Sequence, residues 1–469
     1  MYLNRPKKFN GLSLPMFRAI EKTALDLKKN KEVRAVVLAG RGRVFCAGLD
    51  VNSMMSFQFS DNIKALLNRE SGRVDNLAQS VGYLWRDLDV PVIAAVHGVC
   101  FGGGFQIAMG ADVRVAAPNT RFSIMEAKWG LIPDMSGSVT LREIVPMSVA
   151  KRLTWSGEMF DTEIALNHGI VSDVSKGDPV EHAVSYAESL SISSSDEALR
   201  VKRDMLRNRE DRFRDPDADR VDTTAFDVTL PAVSMKQNHH HNECKNLQIK
   251  NNIAQLEIEQ GNYVNISAAC DQIAQDRNIR ALILHFSSSC NDDDDDDDSS
   301  VVVNSDAVSA ANDLRQLAIP VLGVIQGKEH SISNLAICLG GVDVRFGSSE
   351  LIFPKHMMFN SSSDDERSIR MRAFEESHMG NVVQSENPTE EALGFASTIC
   401  EKSPDAVAFG KELFQNTWHC DERAALLEET RLQEQIIPSW NMMRCAAINL
   451  LPNWISGMTS FKSRQVARL

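Results

Sequence analysis

The chain has 469 residues, a hydrophobic fraction of 43% and a net charge of −13, so it is long enough for two or more domains with packed cores. Seven of the negative charges sit in one run, Asp292–Asp298, and no basic field is present that would hold nucleic acid or an acidic membrane. Nine cysteines without a Cys-x-x-Cys pair fit a reducing compartment, and no apolar run approaches the roughly 20 residues of a membrane span.

Strand and helix patterns alternate from the start. Phe17, Ile20, Ala24 and Leu27 recur at helical spacing behind Ser13, which is placed to cap the helix. A short apolar strand is expected at Val33–Ala39, ended by Gly40, and a buried one at Val92–Val96 between Pro91 and Gly98. A glycine turn then opens a helix through Gln106, Ile107 and Met109, and Val113–Ala116 reads as a further strand. The stretch from Pro388 to about Leu451 is dense in Ala, Leu and Glu and reads as helical.

The two halves carry a faint repeat. Val33-Arg34-Ala35-Val36-Val37-Leu38 pairs with Ile279-Arg280-Ala281-Leu282-Ile283-Leu284, and Pro91-Val92 with Gly98 pairs with Pro320-Val321 and Gly327. Asp112-Val113-Arg114 pairs with Asp343-Val344-Arg345, Phe122 with Phe353, and Asp196 with Lys202 pairs with Asp405 with Lys411. These matches predict a first domain over 1–235, a linker over 236–244, a second copy over 245–387 and a helical region over 388–469. In the second copy the segments Ser287–Ser300, Ser331-Ile332-Ser333, Lys355-His356 and Ser361–Ser363 stand where the first has its polar turns. That copy is therefore expected to be structural. The His239–His241 tract reads as solvated linker and the aspartate run as a loop, since neither has the spacing of a metal site.

Three segments of the first copy carry chemistry. They are Val44-Phe45-Cys46-Ala47-Gly48-Leu49-Asp50, Gly102-Gly103-Gly104-Phe105-Gln106, and Glu126 to Asp134. The first two set backbone N–H groups at turns relaxed by glycine, and the third adds two carboxylates. Together they suit a thioester held as its enolate while a proton moves. Taken singly, the glycines could be only a tight turn, Asp134 a helix cap before Met135, and Cys46 and Cys100 small buried thiols.

In order and spacing these segments resemble the crotonase superfamily, the enoyl-CoA hydratases and isomerases. The resemblance covers roughly residues 1–230 and implies an α/β fold of the crotonase-like ββα superhelical type, here in two tandem copies with C-terminal helices. It implies that Leu49 and Gly103 supply the oxyanion-hole N–H groups, with Glu126 and Asp134 catalytic. Ala47, Gly48, Asp50, Gly102, Gly104 and Gln106 would line the substrate, and Arg43 or Lys8 would meet the nucleotide phosphates of coenzyme A. No metal or separate cofactor is expected, because coenzyme A belongs to the substrate.

Hydratases of this type use two glutamates, and Gln106 stands at the first position. That departure favours an isomerase, in which one carboxylate can remove and return the same proton. Dienoyl-CoA isomerases carry an Asp at the spacing of Asp134 after their Glu. A hydratase or thioester hydrolase, with a water held by Gln106, and a non-catalytic CoA-binding scaffold are the alternatives. The resemblance also implies a homo-oligomer, trimer or hexamer, assembled through the C-terminal helices, although these helices could instead close their own core. No secretory signal is visible, Met1–Pro6 resembles the middle of the family's opening strand and turn, and Ala467-Arg468-Leu469 is similar to a peroxisomal address. Peroxisome is the expected compartment, with mitochondrion or cytoplasm as alternatives.

Overall fold

The computed structural model describes residues 1–54, 59–193, 246–258, 263–287, 305–326, 341–347, 382–450 and 461–464. The His239–His241 tract, the aspartate run, Asp196, Lys202, Gly327, Phe353, the polar replacement segments of the second half beyond Ser287 and the C-terminal tripeptide lie outside these residues.

The first unit contains strands β1 (Tyr2–Leu3), β2 (Val36–Gly40), β3 (Val92–Val96), β4 (Val99–Phe101), β5 (Val113–Ala116), β6 (Arg121–Ser123) and β7 (Asp173–Val174). Its helices are α1 (Leu14–Lys29), α2 (Val51–Met54), α3 (Phe59–Leu67), α4 (Leu77–Arg86), α5 (Gly103–Met109), α6 (Gly137–Leu141), α7 (Met147–Ser156), α8 (Thr162–Asn167) and α9 (Pro179–Ser193). Strands run in the order β1-β2-β3-β5-β7, all parallel, and β4 pairs with β6 in a separate parallel ribbon. Parallel pairing needs both faces covered, which explains the unbroken burial of Val92–Val96. Met16, Phe17, Ile20 and Ala24 give α1 its inward face. Ser13 is the residue before that helix, but its side chain makes no capping bond; only its carbonyl accepts from Met16 and Phe17. The strand expected from Val33 begins instead at Val36, where the ladder starts with the Val36 N–H donating to Pro91 O at 2.8 Å.

The second unit comprises β8 (Leu247–Lys250), β9 (Ile253–Ile258), α10 (Val264–Gln275), β10 (Ala281–Ser287), α11 (Ser305–Gln316), β11 (Val321–Gln326), β12 (Val344–Gly347), β13 (Val382–Gln384) and α12 (Pro388–Cys400). Its sheet runs β8-β9-β10-β11-β12-β13, with β8 and β9 an antiparallel hairpin and the rest parallel. The sequence pairs Val36 with Leu282, Val92 with Val321 and Val113 with Val344, and the ladders keep the same register. Val36 faces Val92 as Leu282 faces Val321, and Ile93 faces Val113 as Leu322 faces Val344. Asp112 accepts the Val92 N–H at 2.7 Å, and Asp343 accepts the Val321 N–H at 2.9 Å. Ala392, Ala396 and Ile399 of α12 pack on this sheet, as Ala183 and Ala187 of α9 pack on the first, which groups α12 with the second unit.

Helices α13 (Pro404–Thr417), α14 (Glu422–Ile436) and α15 (Trp440–Leu450) follow. They cover the first unit of the same chain: the Trp155 indole donates to Val407 O, Arg142 donates to Thr417 O and Cys420 O, and Asn449 donates to Lys128 O. These contacts are intramolecular, so these faces of the C-terminal helices are spent inside the chain.

A buried ionic cluster joins the parts. Asp343 meets Lys151 of α7 at 2.6 Å and Lys411 of α13 at 2.9 Å. Burial opposes the Asp343 charge, yet the two ammonium groups hold its carboxyl below the ordinary range, while burial pulls Lys411 down to about 8. Breaking such a cluster strands buried charge. Asp343→Ala is expected to cost about 3–5 kcal/mol, read as a fall in the denaturant midpoint; a shift below about 1 kcal/mol would contradict it.

Candidate active site

Two turns meet at the end of the first sheet. In one, Leu12 N–H donates to Gly48 O and Asp50 N–H to Leu12 O, which ties residues 48–50 to the turn before α1. In the other, Phe101 N–H donates to Cys46 O and Gly102 N–H to Ser123 O. Gly48 has φ +90°, and a Cβ there would lie 2.9 Å from Phe101 O and 3.6 Å from Gly103 N, so the two turns touch only because Gly48 has no side chain. Gly104 sits against Cys46 just as closely. The N–H groups of Leu49 and Gly103 have no acceptor among the described residues, unlike those of Ala47, Asp50 and Gly102. Two neighbouring free donors on fixed backbone are what an oxyanion hole requires.

Glu126 lies against the second of these turns. It begins the 3-10 turn Glu126–Trp129, and a Cβ on Gly102 would come within 3.6 Å of its Oε1. Gln106, on α5, donates from Nε2 to Glu126 Oε1 at 2.6 Å and accepts the Met135 N–H on Oε1 at 2.8 Å. Glu126 Oε2 is buried with no hydrogen-bond partner among the described residues. Burial pushes the Glu126 carboxyl up to about 7, with the Gln106 amide pulling the other way.

Asp134 lies half-buried on the segment that Gln106 braces. Burial, then the charges of Glu429 and Glu126, raise its carboxyl to about 8. It does not cap a helix: α6 starts at Gly137 behind Ser136, and the Ser136 and Ser138 N–H groups bond to Glu429 of α14.

The other expected residues divide. Asp50 is turned away from free chemistry, pairing with Arg5 at 3.0 Å and accepting the Ser53 N–H at the start of α2. Exposed Arg43 lies over the ring of Phe9, 5.2 Å from its centroid, and Lys8 is also exposed, so either cation is open to a phosphate. Burial raises the Cys46 thiol to about 12 and raises Cys100 as well, which makes both poor nucleophiles. Among the described residues no group of three His, Cys, Asp or Glu side chains could hold a metal ion, and no helix is long and apolar enough to cross a membrane.

Residues 1–243 match the family model for enoyl-CoA hydratase/isomerase, and the chain belongs to that family, an α/β fold of the crotonase superfamily. Over 215 residues it is 30% identical to the peroxisomal Delta(3,5)-Delta(2,4)-dienoyl-CoA isomerase of Arabidopsis thaliana, covering 45% of this chain and 77% of that protein. It is 33% identical over 173 residues to a short-chain-enoyl-CoA hydratase of Clostridium acetobutylicum, covering 37% and 63%. A carnitinyl-CoA dehydratase of Salmonella enteritidis is 31% identical over 207 residues, covering 44% and 75%. Among solved structures, an enoyl-CoA hydratase from Mycobacterium tuberculosis aligns at 27% identity with a TM-score of 0.39, covering 46% of this chain and 79% of that one.

Proposed function

We propose that this family member is an acyl-CoA isomerase that moves a double bond in an enoyl- or dienoyl-CoA thioester. The observation that carries the reading is the buried Glu126 carboxyl, one oxygen unpartnered, lying against the Gly102 turn that presents the free Gly103 N–H, with Asp134 as a second raised carboxyl on the neighbouring segment. Burial raises both carboxyls well above the ordinary carboxylate range, so near neutrality each can hold or release a proton, which is what a base and an acid require. Glu126 takes a proton from the acyl chain, and the C–H electrons pass into the thioester oxygen as an enolate. The Leu49 and Gly103 N–H groups hold that oxygen, each donor being worth about 3 kcal/mol. Glu126 returns the proton to a new carbon, or Asp134 supplies one at the far end of a diene. The electrons leave the oxygen and the double bond has moved. Mass is unchanged.

Gln106 weighs against hydration. Its carbonyl accepts the Met135 N–H and its amide donates to Glu126, and an amide can neither take nor give the proton that the first glutamate of a hydratase handles. A non-catalytic scaffold fits less well, because an unpaired buried carboxylate oxygen costs stability that a purely structural protein gains nothing from. Peroxisomal placement and assembly as a trimer or hexamer are proposed with this reading, and imaging and sizing of the intact chain test them.

Incubation with 3-enoyl-, 3,5-dienoyl- and 2-enoyl-CoA, followed by absorbance and product mass, tests the reaction. A product of unchanged mass from either of the first two is expected, with Asp134→Asn impairing the dienoyl substrate more. Gain of one water from 2-enoyl-CoA, without isomerisation, would replace the reading with a hydratase.

A further inference from the structure

The turn that carries Asp134 is held from two sides. On one side is Gln106, through the Met135 N–H. On the other is Glu429, fully buried in α14, 293 and 291 residues away in sequence from the serines it holds. Its Oε2 accepts the Ser136 N–H at 3.1 Å, and its Oε1 accepts both the Ser138 N–H at 2.7 Å and the Ser138 hydroxyl at 2.6 Å. A fourth bond comes from Gln79 Nε2 of α4 at 3.0 Å. Ser136 needs this support because its φ is +72°, a left-handed conformation that a non-glycine residue adopts at a cost. Gly82, one turn beyond Gln79 on α4, lets the turn pack so closely that a Cβ would stand 2.5 Å from Met135 O and from Ser136 Oγ.

We propose that Glu429 is a positioning residue for Asp134, so that a helix following the second unit completes the active site of the first. This rests on the isomerase reading for its role in turnover, although the geometry it describes does not. Among the described residues the charged groups facing Glu429 are few. Asp134 comes from the braced turn, with Glu126 behind it, and Arg69 from the segment after α3 binds Gln79 Oε1, Leu426 O and Thr430 Oγ1 around the same helix. Glu429 itself is raised to about 7, chiefly by burial and against the pull of its four hydrogen bonds. When ionised it stands as a negative charge beside Asp134 and favours the protonated acid.

The test compares wild type, Glu429→Ala and the isosteric Glu429→Gln in full-length protein. With dienoyl-CoA, kcat is expected to fall ~10–30-fold in the alanine variant with KM within ~3-fold, the split expected when only alignment in the transition state is lost. In both variants the alkaline limb of the pH–rate profile should move to lower pH, because a negative charge beside Asp134 has gone. The titration of the Asp134 carboxyl, followed by a carbon resonance assigned through its loss in Asp134→Asn, needs no turnover and should move the same way in Glu429→Gln. An unmoved titration overturns the proposal whatever the wild-type activity. Failure of the wild type to isomerise any substrate, with the titration shifted, overturns the functional reading and leaves the positioning role standing.

Discussion

Glu126→Gln is expected to lower turnover of the preferred enoyl- or dienoyl-CoA about 1000-fold while leaving acyl-CoA binding within a few-fold of wild type. The substitution keeps the shape and keeps an oxygen for the Gln106 amide, so the packing around the 3-10 turn is preserved. What it removes is the one oxygen that no neighbour occupies, Glu126 Oε2. An amide there cannot take a proton, and a factor of 1000 corresponds to about 4 kcal/mol of transition-state stabilisation. Binding should survive because the Leu49 and Gly103 donors are backbone groups that the change does not touch. Turnover within about threefold of wild type, measured by absorbance under saturating substrate, would remove Glu126 from the mechanism. Wild-type activity should rise as Glu126 ionises near 7 and fall as Asp134 loses its proton near 8, the two limbs belonging to the coupled pair.

Much of this site is legible in the chain because each part is local. The glycines at 48, 102 and 104 announce special backbone: the contacts of a would-be Cβ explain glycine at 48 and 104, and a φ of +49° explains it at 102. Glu126 and Asp134 follow at a spacing that a short turn can bring together. The strand register is legible too, since Pro91-Val92 and Pro320-Val321 start equivalent ladders. What local pattern does not convey is the support behind the site. Gln106 reads as a lost catalytic acid, yet its amide is the strut between Glu126 and Met135. Glu429 leaves no local motif because the serines it holds are almost 300 residues away. A signal existed: Ala425, Leu426, Leu432 and Ile436 form the inward face of α14, and Glu429 falls among them. A charge at a core position needs partners. Lys411, buried on α13 among Val407, Phe414 and their neighbours, is a second case of the same kind. The C-terminal helices illustrate the same limit, because an amphipathic stripe predicts burial without saying whether the covering surface belongs to another copy or to the same chain.

Between pH 6.5 and 8.5 the wild type is expected to lose stability relative to Glu126→Gln and to Asp134→Asn, whose folds should be the more stable at the upper end. Folding raises Glu126 from an ordinary 4.5 to about 7, Asp134 from 3.8 to about 8, and Glu429 from 4.5 to about 7. For each, the folded state binds a proton that the unfolded state has released above its ordinary value. Stability from these groups is therefore complete at low pH and is lost as pH rises through the folded values. One pKa unit is worth about 1.4 kcal/mol, so Glu126 accounts for about 3 kcal/mol spread between pH 4.5 and 7, of which only about 1 kcal/mol falls above 6.5, whereas Asp134 loses more inside the window; the three do not add, because Asp134 is raised partly by the other two. Half-buried His168 and His285 are pushed down and act in the opposite sense, but below 6.5, outside the window. The Met1 amine is also pushed down and opposes the carboxylates within it. Comparing each variant with wild type at every pH cancels that term, since the amine is common to both. Denaturant midpoints at 6.5 and 8.5 are the measurement. A variant that runs parallel to wild type across the window would mean that its carboxyl is already ionised at 6.5 in the folded protein, and the raised values on which the base and acid roles rest would go with it.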